Sequence, residues 1–145
     1  MVLLDPVALQ PDLAAIVSAA AADFVSLRGA PGKKPNAWAG TVVLSGAVCT
    51  LDPTTSGGIS DWNYECRWKA QTEEEATATW DALETAVQLV IDPTWKVTEG
   101  STVPDATVVA ARLSVLRDDG VRVSAVHYHY STGRSDVVLS VWSPR

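Results

Sequence analysis

Three small groups of residues have the types and spacing from which chemistry is built. His127 and His129 are the only two histidines and stand two apart, which on a strand places both on one face. As zinc or copper ligands they would need two further donors, and no cysteine or carboxylate motif stands at ligand spacing. The plain expectation is that they end an apolar stripe, Val121, Val123 and Ala125, whose polar end emerges into solvent or an interface. Cys49 and Cys66 are too few for a disulfide scaffold. They would lie near-opposite on a hairpin, and in a reducing cytosol they are expected to be two small apolar core groups. A Cys–His nucleophile arrangement has no supporting context here. Glu73, Glu74 and Glu75 could hold a cation, but a helix start accounts for all three. No nucleophile elbow, phosphate loop, dinucleotide fingerprint, zinc-protease motif or EF-hand loop occurs. The sequence therefore assigns no catalytic, cofactor-binding or metal-binding residue and no cofactor, and a non-enzymatic protein is expected.

Composition bounds the setting for these groups. The chain has 145 residues, 47% of them hydrophobic and 19% charged, which fits one globular domain with a core of its own. A formal net charge of -6 argues against a nucleic-acid binder that relies on a broad basic patch. The 11 basic residues are scattered, with Lys33-Lys34 the only adjacent pair. The opening Met1-Val2-Leu3-Leu4-Asp5-Pro6 lacks the positive region of a secretory signal. No apolar stretch approaches the roughly 20 residues that span a bilayer. No membrane partner is expected, and folding in a cytosol is.

The elements that would position these residues follow from periodicity. After an N-terminal arm, 1–10, the positions Leu13, Ile16, Val17, Ala20, Phe24 and Leu27 share one helical face, predicting a helix over 11–28. Gly29, Pro31 and Gly32 would stop it, and its solvent side is mostly alanine. A hairpin is expected over 38–70: a β-rich run from Trp38 to Cys49, a loop over 52–61, then a strand. In that strand Trp62, Tyr64, Cys66 and Trp68 alternate with Asn63, Glu65, Arg67 and Lys69. Thr72 and Glu75 form a capping box for a helix over 72–92, with Ala76, Trp80, Leu83, Val87 and Val90 as its buried stripe and Asp92-Pro93 as its end. A β-meander is predicted over 94–143, with a short strand at 94–98, a loop at Glu99-Gly100-Ser101, and a type I′ turn at Asp119-Gly120. The fold class is α+β: helix, β-hairpin, helix and antiparallel meander in one mixed or antiparallel sheet, with the helices packed on it.

Surface chemistry is the remaining signal. Six Trp and three Tyr are many for a chain with one Phe, and such rings are enriched at interfaces. Trp38, Trp95 and Trp142 fall near loops or strand ends. The last strand, Val137 to Trp142, is apolar on both faces. Either it is a sheet edge that another subunit covers, or it is buried on both sides within the monomer. Trp38, Trp95, Val137, Leu139, Val141 and Trp142 are therefore the interface candidates.

In this layout the chain resembles the tail terminator proteins of long-tailed bacteriophages. The N-terminal helix leading through a Pro-containing loop into 41–51, the strand 62–70 feeding the acid-started helix 73–91, and the meander with its turn at 118–120 carry the likeness. It covers nearly the whole chain in element order and length, and the strand 137–142 is an addition to the simplest family pattern. The resemblance implies a homohexameric ring in the virion, folded in the host cytoplasm. That ring would stack on the tail tube protein, stop its polymerisation and meet the neck or head–tail connector protein, with DNA only passing through the lumen. Another connector or tube subunit is the alternative within this class. From a different class, the alternative is a small ligand-binding or enzymatic α+β domain using a cleft near His127 and His129.

Overall fold

The computed structural model describes residues 4–56, 59–99 and 107–144. Residues 1–3 of the expected arm, Gly57-Gly58 and Gly100-Ser101 lie outside the described residues. The most local signals give the most faithful elements. The Thr72 hydroxyl accepts from the Glu75 amide while the Glu75 carboxylate accepts from the Thr72 amide, and the helix α2 runs Glu73–Val90. Ala76, Trp80, Leu83 and Val87 are buried as predicted, with Val90 packed at their margin.

The first helix, α1, departs from expectation at both ends. It runs Pro6–Ala19, so most of the supposed arm is helical. The Asp5 carboxylate caps the amide of Val7, and Pro6 occupies the first turn, where its missing N–H is no loss. Pro11, expected to open the helix, lies inside it. After a 3-10 turn at Ala20–Ala22, the Asp23 amide donates to Ala20 and the Phe24 amide to Ala19. That pattern is a Schellman stop, with Asp23 and Phe24 both at positive φ. The reversal drops Phe24 into the core against Tyr64, ring centroids 5.5 Å apart. Gly29 and Pro31 are not the stop; they belong to a strand, β1 (Arg28–Pro31).

The expected continuous run 38–49 is two strands with a loop between, β2 (Trp38–Gly40) and β3 (Val48–Ser56). Two long-range hydrogen-bond sets hold residues 41–47 out of the sheet. The Tyr64 hydroxyl donates to the Val42 carbonyl at 2.6 Å and accepts from the Val42 amide at 3.1 Å. The Trp68 indole donates to the Ser45 carbonyl at 2.9 Å. Gly40 permits this approach, because a Cβ there would stand 2.2 Å from the Tyr64 oxygen. The predicted loop 52–61 is largely paired: β3 continues to Ser56 and β4 (Ile59–Gln71) begins at Ile59. Pro53 pairs with Trp62 in a stretch of β3 past its last β2 partner, where a missing donor does no harm.

The meander is as expected in order: β5 (Lys96–Glu99), β6 (Thr107–Leu116), β7 (Arg122–Tyr130) and β8 (Ser135–Trp142). The turn between β6 and β7 is not type I′. Only Gly120 has positive φ, and its amide donates to the Arg117 carbonyl, a type I turn followed by a glycine bulge. The whole is one antiparallel eight-stranded sheet, β1-β2-β3-β4-β8-β7-β6-β5. The last strand is thus an inner one, paired with β4 on one side and β7 on the other. Val137, Leu139 and Val141 are fully buried beneath the helices, which removes them as interface candidates. Two-sided burial, not an exposed edge, explains the apolar pattern.

Cys49 and Cys66 face each other in register and are joined as a disulfide. This corrects the expectation of two separate core thiols. The bridge closes a 17-residue separation, for which chain entropy gives roughly 3 kcal/mol. Reduction, or the double change Cys49→Ala and Cys66→Ala, should lower the unfolding free energy by about that amount, read from urea titrations with and without reductant. A second point of stress lies at Ala70, whose φ is +53° in the β4 bulge between Trp68 and Gln71. A non-glycine residue there costs about 1 kcal/mol, so Ala70→Gly should raise the urea midpoint by the equivalent amount.

Candidate functional site

Strand parity sorts the side chains of the sheet into two populations. Tyr64, Cys66, Trp68, Leu113, Val115, Val123, Ala125, Val137, Leu139 and Val141 share one core with both helices. Their neighbours in sequence face the other way, where no helix lies among the described residues. On that face the sheet is concave and encloses a cavity of about 550 Å³. Its floor is Val126, Val138 and Ser140, each only 5–7% exposed. Asn63 pairs with Trp142 and Glu65 with Ser140 across β4–β8. Arg112 pairs with Val126 and Leu116 with Arg122 across β6–β7.

Four cations, Arg67, Lys96, Arg112 and Arg122, line this cavity. Two are tied by acids. Arg67 contacts Asp136 at 2.9 Å and Glu65 at 3.5 Å. Burial alone would lower its pKa, but Glu65 and then Asp136 outweigh that and hold it above the ordinary value. Asp136 is itself nearly buried and also accepts from the Ala70 amide and the Tyr130 hydroxyl, so it joins β8 to the β4 bulge. Burial, then the Asp136 charge, pushes the Tyr130 phenol up. Arg122 reaches the buried Asp61 at 3.8 Å and lies over the Trp142 ring at 4.8 Å. Lys96 and Arg112 have no ion-pair partner among the described residues. The Arg112 Nε is buried and has no hydrogen-bond partner among the described residues. The site can bind anions or accept an acidic surface.

Of the aromatic interface candidates, Trp142 forms a wall of this cavity. Trp38 lies elsewhere, beside Arg28, whose guanidinium sits 4.5 Å from the Trp62 ring and 6.0 Å from the Trp38 ring. Trp95 packs on the core edge with Arg117 at 5.4 Å over its ring. The three tryptophans are not brought together. Local spacing does not reveal the cations of the cavity, because they are far apart in sequence. Their signal was parity: Arg112 and Ser114 alternate with Leu113 and Val115, and Arg122 and Ser124 with Val123 and Ala125.

The two histidines lie on the opposite, helix-covered side. His127 is 8% exposed and stacks on Trp80 with centroids 6.5 Å apart, and its Nε2 has no hydrogen-bond partner. The His129 Nδ1 is 2.9 Å from the Ser135 hydroxyl. Among the described residues no three His, Cys, Asp or Glu side chains converge as a metal site, and no helix is long and apolar enough to cross a membrane. The sequence matches no protein-family model and no curated protein.

Burial, and next the charge of His129, lowers the His127 pKa. In the unfolded chain this imidazole protonates near its ordinary value of about 6.5, while the folded chain resists. Its contribution is therefore complete above pH ~6.5 and is lost as pH falls toward the folded pKa. Urea midpoints measured against pH should decline below about 6.5, and His127→Gln should flatten that decline.

Proposed function

We propose that this chain is a structural subunit of a phage tail, a terminator that assembles as a ring, caps the tail tube and joins it to the neck. The observation that carries the reading is the concave sheet face. Both helices lie on one side, and the other side presents a pre-formed hollow with a buried floor and charged, aromatic walls. A surface shaped and charged in this way suits protein contact. The element order of helix, hairpin, helix and meander agrees with the resemblance in the sequence. Another connector or tube subunit would draw the same support. In this reading the protein is not an enzyme, requires no cofactor, and belongs to the virion after folding in the host cytoplasm.

A second reading has one observation in its favour. The cavity volume of about 550 Å³ falls within the range typical of small-molecule sites, and its cations would suit a carboxylate or phosphate. That cleft lies across the sheet from His127 and His129.

Native mass spectrometry at tens of micromolar, alone and with the tail tube protein, separates these readings. The ring predicts a discrete closed oligomer, a hexamer by the resemblance. A strict monomer under both conditions, stabilised against heat by a small carboxylate or phosphate, would reject the ring in favour of ligand binding.

A further inference from the structure

Charge in this molecule is segregated by layer. Residues 5–27 and 72–95, which build the helix layer, contain nine of the 17 acidic residues and none of the 11 basic ones. Seven of those nine acids are exposed, and the other two, Glu75 and Glu84, are half-exposed. On α2, Glu74, Asp81 and Glu84 stand seven and three apart, so they share the outer side of the helix. Among the described residues none of the three has an ion-pair partner. The opposite face of the molecule carries the cavity with Lys96 and Arg112, two cations with no ion-pair partner among the described residues.

We propose that the occupant of the concave sheet face is the acidic outer surface of α2 from a second copy of this chain, docked head to tail. The inference rests on the ring reading and supplies its interface. Complementarity selects the occupant, since the molecule itself presents an uncompensated acidic face and an uncompensated basic one. A symmetric, face-to-face dimer is disfavoured, because it would set acid against acid or base against base. Only the heterologous arrangement joins unlike faces, and heterologous contacts propagate into rings or filaments. Size agrees. The four strands β4, β8, β7 and β6, about 4.8 Å apart, span roughly 14 Å, and a helix with its side chains is roughly 10 Å across. Val126 and Val138 give that seat an apolar floor, with Lys96 and Arg112 positioned to meet Glu74 and Asp81.

The test uses the full chain in two charge-reversed forms, Glu74→Lys with Asp81→Lys, and Lys96→Glu with Arg112→Glu. Glu74, Asp81 and Lys96 are exposed and Arg112 is half-buried in the cavity wall, and circular dichroism verifies each fold. Sedimentation velocity at low ionic strength should show the wild type associating, with affinity falling at least about tenfold in 0.5 M salt as the charges are screened. Each variant alone should be monomeric, because both of its faces then carry one sign. An equimolar mixture should recover assembly, because each variant's altered face now complements the other's. If the wild type forms closed rings and the variants do so equally well, the docking surfaces are wrong and the ring reading survives. If the mixture is rescued but the products are open-ended, the interface stands and the ring fails. A wild type that stays monomeric at low salt, alone and with the tube protein, overturns both. Low-salt binding of a short DNA oligonucleotide to the monomer, abolished by Lys96→Glu with Arg112→Glu, would assign the face to nucleic acid instead.

Discussion

Everything in this fold depends on where β8 sits. The hairpin half of the sheet, β1 to β4, and the meander half, β5 to β7, pair with each other only through it. β8 bonds to β4 from Asn63↔Trp142 to Gln71↔Ser135 and to β7 from Arg122↔Trp142 to His129↔Ser135. A strand with partners on both edges, helices over one face and the cavity floor on the other is apolar at most of its positions. Val137, Leu139 and Val141 meet the helix layer, and Val138 meets the cavity. The one carboxylate in the strand, Asp136, is tolerated because Arg67 and the Ala70 amide satisfy it. One placement thus fixes the core, the floor of the hollow and the ion pair at its edge.

The two faces of the sheet follow from that placement. Helices cover one side because α2 leaves β4 directly after its bulge and carries a single apolar stripe, and α1 packs beside it. The outer side of α2 carries Glu74, Asp81 and Glu84, whereas that of α1 is mostly small residues. The far side of the sheet mixes long and short residues: Arg67, Arg122, Tyr128 and Trp142 line the cavity beside Val126, Val138 and Ser140. Such a face is dry at the bottom and charged at the rim.

Legibility in the sequence tracked the range of the interactions. The α2 helix was readable to within a residue or two because Thr72, Glu75 and the 3–4 spacing of its stripe act locally. The alternation in β4 was equally plain, since Tyr64, Cys66 and Trp68 sit on one face of one strand. The α1 boundaries were misjudged because Pro11 looked like a start, whereas Asp5 and Pro6 make a better one. Phe24 fits the helical period yet belongs to a Schellman reversal. The split of 38–49 could not be seen, because it is imposed by Tyr64 and Trp68 from about 20 residues away. The inner position of β8 was hidden for the same reason: a two-sided apolar strand reads identically at a covered edge and at a centre. The cavity fell out of view with it, since its cations converge only once the sheet order is known.

The sheet order also dictates a timetable. Strands that are neighbours in sequence can zip locally, so β3–β4 and β5–β6–β7 have short loops to close. The β4–β8 pairing joins residues some 64 to 79 positions apart, and it is the step that merges two half-sheets. Until residues 135–142 arrive, β4 and β7 each present an open edge, and the groove between them fits one strand. During synthesis that groove is the point of greatest vulnerability to a wrong strand, whether from a neighbouring nascent chain or from a second copy's β8. High contact order of this kind slows folding, so the central strand that makes the finished protein cohesive is also its kinetic bottleneck.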